Sequence, residues 1–430
     1  MKKWTNRLDE VSRRDFMSLS ALSCLGLGTT PLSFLNNKVS SPLLNNPTAK
    51  NVIYLYMSGG MSHLDTFDPK PDNEEVSGNV KAIGTKTDGM QLSEYLPLLA
   101  KQSENICLVR SLNSTAGAHA QGNYFMHTSY IQRGTIRHPA MGSWLMKIKG
   151  KSNDTLPGNV LIQGGSGHPR EGFMESKYGP LPIGNPKEGL QNSTLPRTVD
   201  EERFKKRRDL AEKFNKEFLK SHNKKQVRAY SDLYEDAIAL MKSEDLKAFD
   251  ISKEPEMLRE AYGNDNFGQG CLLARRLIEN DVRFVEVNLG GWDNHNNIYD
   301  EDVLPKSAAT LDKALSTLLM DLSRRGMLEE TLVVVATEFG RTPVFNQNKG
   351  RNHFPKAFSC LLAGGGVQGG QVYGETNKSG DEVVDKKITI PDFNATIAYA
   401  LGLSTDHIEM SSSGRPFKIA DKGRPIKDIF

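Results

Sequence analysis

The sequence predicts an α/β fold: a mostly parallel central sheet flanked by helices on both faces. Two observations carry this reading. Several runs are apolar almost without a break and end at glycines: Asn51–Met57 before Gly59-Gly60, Val282–Leu289 before Gly290-Gly291, and Ala357–Ala363 before Gly364. Strands covered on both faces read in this way. Between them lie segments with apolar residues at helical spacing, so strand and helix alternate along the chain. With 430 residues, 37% hydrophobic and 25% charged, there is apolar material for a substantial core. Residues 50–430 are expected to form one domain, since α/β folds often run long as a single unit.

Taken in order, Asn51–Met57 is the first buried strand and Ile106–Arg110 the second. Gln121–Ile131 and Met141–Ile148 read as helices, and Asn159–Gln163 as a short strand before a glycine loop. From about 199 to 262 the character changes to a charge-dense helical insertion, opening with Glu201-Glu-Arg-Phe-Lys-Lys-Arg-Arg-Asp209. Acidic residues interleave the basic ones, which describes a solvated helical face rather than a polyanion site. Strand and helix then alternate again: helix Phe267–Glu279, strand Val282–Leu289, helix Leu304–Arg325, strands Thr331–Thr337 and Ala357–Ala363. A last helix spans Pro391–Gly402, with Pro and Asp at its start and Gly at its end.

The N-terminus carries its own signal. Ser12-Arg13-Arg14-Asp15-Phe16-Met17 is a twin-arginine pattern, and the apolar run Met17–Leu27 behind it is too short to span a bilayer. Residues 1–35 are expected to be a twin-arginine signal segment and 36–49 a linker. The export machinery is then a partner, and the destination is the periplasm or the exterior. Cleavage near residue 35 would leave a net charge of +1 in place of +3. That balance suggests no nucleic-acid partner, and no later segment is apolar enough to cross a membrane. Beyond Cys24, the chain holds Cys107, Cys271 and Cys360, widely spaced in apolar surroundings. They form neither a disulfide framework nor a thiol metal motif.

In open α/β sheets, ligands bind beyond the carboxyl ends of the strands, so polar residues after each strand are the candidates for chemistry. The first strand is followed by His63, Asp65 and Asp68, and the Val282 strand by Asp293 and His295. The Thr331 strand is followed by Glu338 and Arg341, and then by His353. Asp65, Asp293, His295, Glu338 and His353 are the expected ligands of a divalent metal. Mixed oxygen and nitrogen donors suit zinc, manganese or a similar ion such as calcium. Arg341, Arg351 and Lys356 cluster in sequence with these residues; they could hold the oxygens of an anionic substrate or compensate acidic ligands. His127, His138, His168, His222 and His407 fit no strand-end pattern and are expected to be structural or superficial.

The motifs together resemble a known family. Ser58-Gly-Gly-Met-Ser-His-Leu-Asp-Thr-Phe-Asp-Pro-Lys70, Gly291-Trp-Asp-Asn-His295, Thr337-Glu-Phe-Gly-Arg-Thr-Pro343, Gly350-Arg-Asn-His353 and Leu362-Ala-Gly-Gly-Gly-Val367 occur in the order seen in the domain-of-unknown-function-1501 family of exported bacterial proteins. That family resembles a branch of the alkaline phosphatase and sulfatase superfamily. The resemblance implies an alkaline phosphatase/sulfatase-like fold, one or two metal ions, and hydrolysis of sulfate or phosphate esters on a small molecule or glycan. Under it, Asp65 matches the first-strand metal Asp, Asp293 and His295 an Asp-and-His loop, Glu338 a later Asp, and His353 the late His. Phe339 stands where a further ligand His is usual, and His119 where a hydroxyl nucleophile is usual; there His119 could act as nucleophile, acid–base group or metal ligand, or be a helix-start histidine bonded to neighbouring backbone. Two functions follow as alternatives: an exported metal-dependent ester hydrolase, or a metal-binding protein without turnover that serves as a carbohydrate-binding partner or scaffold. Hydrolysis of another ester, with His119 as base for a metal-bound water, is a third.

Overall fold

Six β-rich stretches pair into the long strands of one sheet, and three short ones complete it. The computed structural model describes residues 43–430, apart from 45, 166, 192, 194, 196, 197 and 222–234. The expected signal segment, most of the linker and His222 therefore lie outside the described residues.

The strands are β1 (Asn51–Met57), β2 (Ile106–Asn113), β3 (Asn159–Ile162), β4 (Leu181–Ile183), β5 (Phe284–Leu289), β6 (Thr331–Ala336), β7 (Phe358–Ala363), β8 (Gln371–Tyr373) and β9 (Ile388–Thr389). Their order across the sheet is β8-β2-β7-β6-β1-β5-β3-β4, with β9 also paired to β2. Every pairing among them is parallel except those of β7, which runs against β2 and β6. β4, β8 and β9 were not foreseen. They are two or three residues long, and Pro182 inside β4 belongs at an edge, where no ladder bond is lost.

The helices used below are α1 (His119–Thr128), α2 (Met141–Lys149), α3 (Glu201–Ser221), α4 (Asn266–Glu279), α5 (Leu304–Arg324) and α6 (Ile390–Ala400). Side chains alternate across the sheet and build a core on each face. Ile53, Leu55 and Met57 of β1 pack with Leu272 and Leu273 of α4 and Leu315 and Leu319 of α5. Val52, Tyr54 and Tyr56 pack with Met126 of α1, Leu145 of α2 and Ile397 of α6. Helices thus cover both faces of a mostly parallel sheet, which is the expected class. The charge-dense stretch contributes α3, none of whose described residues joins either core, whereas Leu240, Ala248, Phe249, Ile251 and Tyr262 from its later part pack into the core with α4 and α5.

Local chemistry fixes the ends. α6 begins with a capping box between Thr389 and Asp392, with Pro391 in its first turn. Asp265 caps α4 by accepting the Gly268 amide. α1 runs from His119 to Thr128, two residues earlier than its apolar pattern suggests, and stops at Ser129 in the left-handed region (φ 65). The helix start brings His119 to the carboxyl edge of the sheet.

Candidate metal centre

Four segments converge beyond the carboxyl ends of β1, β5 and β6. Asp293 and His295 stand on the loop after β5, Glu338 and Arg341 follow β6, His119 opens α1, and His353 precedes β7. Gly59, just after β1, permits the close approach of the loop after β5. Its φ is +122°, and a Cβ there would lie 2.6 Å from the Asp293 amide nitrogen, so no other residue fits.

One atom organises the cluster. Asp293 Oδ1 lies 2.6 Å from Arg341 Nη2, 2.9 Å from His295 Nε2, 3.2 Å from His119 Nε2 and 3.4 Å from His353 Nε2. Burial works to raise the Asp293 carboxyl, but the hydrogen bond and charge of Arg341, with the imidazoles behind, bring it down to about 2. His295 Nε2 and His353 Nε2 face each other at 3.0 Å.

The opposite nitrogens are committed. His119 Nδ1 lies 2.9 Å from Glu338 Oε1, and His353 Nδ1 lies 2.9 Å from the Gly117 carbonyl. His295 Nδ1 is 3.3 Å from Asn352 Oδ1. A carboxylate or carbonyl oxygen can only accept, so each Nδ1 carries the hydrogen, and each Nε2 has a lone pair for an ion in the neutral ring or a hydrogen for Asp293 in the charged one. This tautomer is the one a metal-binding imidazole needs, and an acceptor behind the ring is its usual support. His119 Nε2 is buried without a hydrogen-bond partner, which fits a ligand atom. Ligating atoms of His119, His353 and Asp293 lie within 4.8 Å of one another. The residues present therefore fit a divalent ion.

Glu338 stands behind this set. It is buried, with Oε1 accepting the Gly59 amide at 2.9 Å and Oε2 accepting the Tyr56 hydroxyl at 3.0 Å. Its hydrogen bond raises the His119 pKa above the usual value.

Other expected site residues are placed elsewhere. Asp65 is fully buried and takes Arg351 Nε at 2.8 Å and Nη2 at 3.0 Å, along with the Tyr299 hydroxyl at 2.8 Å. Arg351 also donates to the carbonyls of Val76, Thr342 and Pro343 and stacks 4.0 Å from the Phe345 ring. The two side chains are spent on each other and on backbone, away from the cluster. Arg341 donates to carbonyls of Gly59, Gly60, Trp292 and Arg351 besides Asp293, so it braces the site rather than offering free N–H groups. Lys356 is exposed, and its carbonyl accepts from Asn113. Phe339, where a ligand His is usual, packs its ring 5.1 Å from that of His119.

A second cluster was missed by the sequence reading: His127, His168 and Glu286, all buried. Glu286 interrupts a strand that reads as apolar, and an isolated acid there is the signal that could have found it.

A family model described as "Protein of unknown function (DUF1501)" matches residues 49–430. Similar solved structures include a protein in the alkaline phosphatase superfamily from Vibrio parahaemolyticus, 13% identical, covering 90% of this chain and 71% of that one, with a TM-score of 0.40. PsFucS1 sulfatase from Pseudoalteromonas sp. is 14% identical over 83% of this chain and 68% of its own, with a TM-score of 0.38. Alkaline phosphatase from the Antarctic bacterium TAB5 is 14% identical over 76% and 95%, with a TM-score of 0.34. No curated protein matches.

Proposed function

We propose, from the premise that this chain belongs to the DUF1501 family, that it is an exported metal-dependent hydrolase of sulfate or phosphate esters. The observation that carries the reading is the pair of rings, His119 and His353, whose Nδ1 atoms are held by acceptors while their Nε2 atoms converge on Asp293. His119, His353 and Asp293 would hold the ion, and two nitrogens with one oxygen suit zinc or manganese. Bound there, a divalent ion would lower the pKa of water and polarise the ester.

The chain's own groups then have distinct tasks. Glu338 aims His119, and Arg341 aims Asp293. His295 stands on the open side with its Nε2 2.9 Å from Asp293, placed to take a proton from water or to complete the ligand set. The positive charge of a dication and Arg341 exceeds the negative charge of Asp293 and Glu338, which favours an anionic group in the substrate. Sulfate or phosphate is the anionic group that the family resemblance implies. His119 occupies the helix start where a hydroxyl nucleophile is usual, which supports attack by water rather than by a side chain. The same substitution supports the second reading, a metal-binding protein without turnover.

Purified chain titrated with zinc and manganese, with turnover of aryl sulfates and aryl phosphates, separates these readings. The hydrolase requires stoichiometric metal and metal-dependent release of the aryl alcohol. Tight metal with no turnover of any ester leaves the non-catalytic reading, and no metal binding overturns both.

Export is proposed from Arg13-Arg14 ahead of a short apolar run. Replacing both by lysine should hold the precursor in the cytoplasm, visible by fractionation; normal processing of that variant would reject the route.

A further inference from the structure

The second cluster has the residue types of a metal site, but its hydrogen bonds point another way. Glu286, in the middle of β5, receives His127 Nε2 of α1 on Oε1 and His168 Nε2 on Oε2, each at 3.1 Å. Asn288 Nδ2 adds a bond to Oε1 at 3.0 Å. His127 Nδ1 lies 2.8 Å from the Asn123 carbonyl, so it carries a hydrogen. His168 Nδ1 does the reverse: it accepts the Arg170 amide at 3.0 Å and must be bare. A neutral His168 therefore has its hydrogen on Nε2, directed at Glu286, and has no lone pair there for an ion. His127 has acceptors at both nitrogens and is satisfied as imidazolium. Burial works against that charge, yet Glu286 beside it raises the His127 pKa, while burial lowers that of His168.

We propose that His127, Glu286 and His168 form a metal-free clamp of imidazolium, carboxylate and neutral imidazole that pins α1 and the segment from His168 to Gly172 onto β5, and opens when His168 takes a second proton at Nδ1. That proton turns the acceptor of the Arg170 amide into a donor, so the bond is lost and two N–H groups meet head on. The released residues are tied to the start of α2 through the Arg170 carbonyl, which accepts the Ala140 amide at 2.9 Å and Ser143 Oγ at 3.0 Å. The other clamped element, α1, begins with His119.

The groups facing the clamp are few. Tyr54 and Tyr56 of β1 lie beside His127, with ring centroids 5.9 Å and 4.5 Å away. Arg170 and the His127 charge act on His168, and Glu338 acts on His127 from beyond Tyr56. Arg137 donates to the His168 carbonyl at 3.4 Å. Glu286 is the only carboxylate among the described residues that bonds to either ring.

The inference stands without the metal centre, since its measurements read neither that centre nor turnover. Long-range 15N–1H spectra of the full chain should show, at pH 7.5, His127 protonated on both nitrogens and His168 on Nε2 alone. Neither pattern should change on adding zinc chloride, whatever the response of His119 and His353. Hydrogen exchange of the Arg170 amide, corrected for intrinsic rate, should accelerate at least tenfold between pH 7.5 and pH 5. In His168→Gln the corrected rate should be flat over that range. A bare Nε2 on His168, zinc-shifted signals from either ring, or a pH-independent Arg170 amide in the unmodified chain would overturn the clamp. So would a zinc equivalent that Glu286→Gln removes.

Discussion

An imidazole with one nitrogen tied to an oxygen has only one way left to act, and this decides what the histidines of the two clusters can do. His119 and His353 are tied at Nδ1 and turn Nε2 toward Asp293, whereas His168 is wired the other way round. Removing the carboxylate behind His119 tests the first wiring: Glu338→Gln should weaken metal binding about 10- to 100-fold while the chain stays folded, read by competition with a chromogenic chelator. His295→Ala should keep the metal but lower turnover roughly 10²- to 10⁴-fold if it moves a proton. Loss of metal would make it a ligand instead. The sequence reveals residue types but not pairing. Asp65 and Arg351 follow the strand-end pattern, yet each is satisfied by the other in a fully buried pair. Removing one member of such a pair leaves an uncompensated charge, so Arg351→Met should cost about 3–5 kcal/mol in urea unfolding. The variant that still folds should bind metal normally.

At the scale of elements, the long strands and the helices of both faces were legible because their periodicity is strong. The short edge strands were not, since two or three residues carry no period. The placement of His353 shows why order in the chain is an incomplete guide. Asp293, His295 and Glu338 follow parallel strands, but His353 precedes β7, which runs against its neighbours. Only a reversed strand brings its leading residues to the carboxyl edge. α1 sits close over the β6 loop because Gly122 has no side chain. A Cβ there would lie 3.0 Å from Glu338 Cβ and 3.1 Å from Phe339 Cδ1. Gly122→Ala favours an isolated helix by about 1 kcal/mol. In this chain it should instead displace His119 and weaken metal binding, and calorimetric titration with zinc reads the difference. An affinity equal to wild type would show that α1 has room to move.

Over the whole molecule, the buried clamp ties stability to pH. Burial works to raise the Glu286 carboxyl, but His168 and His127 hold it far below its ordinary 4.5. Its contribution is therefore present above about pH 4.5 and lost as pH falls further. His168 is held below its ordinary 6.5, so the unfolded chain binds its proton first, and stability also falls as pH drops below about 6.5. His127, held above 6.5, contributes fully below that pH and loses its contribution as pH rises through its folded value. Urea midpoints should accordingly decline from pH 6.5 towards 4, and Glu286→Gln should flatten that limb; an unchanged slope would remove the clamp from the account.

The spacing of the proposed ligands has a consequence in time. Between His119 and His353 the chain lays down β3, β4, β5 and β6 before it returns through β7. Of the proposed ligands, an unfolded chain offers an ion only the neighbours Asp293 and His295, while closing the longer loops costs entropy that nothing has yet offset. Capture must therefore wait until the sheet is assembled, and it selects among the ions present at that moment. Under the export route proposed for the N-terminus, which carries folded chains, assembly is complete before the crossing. The cytoplasm, with its own metal economy, would then choose the ion for a protein that works outside it.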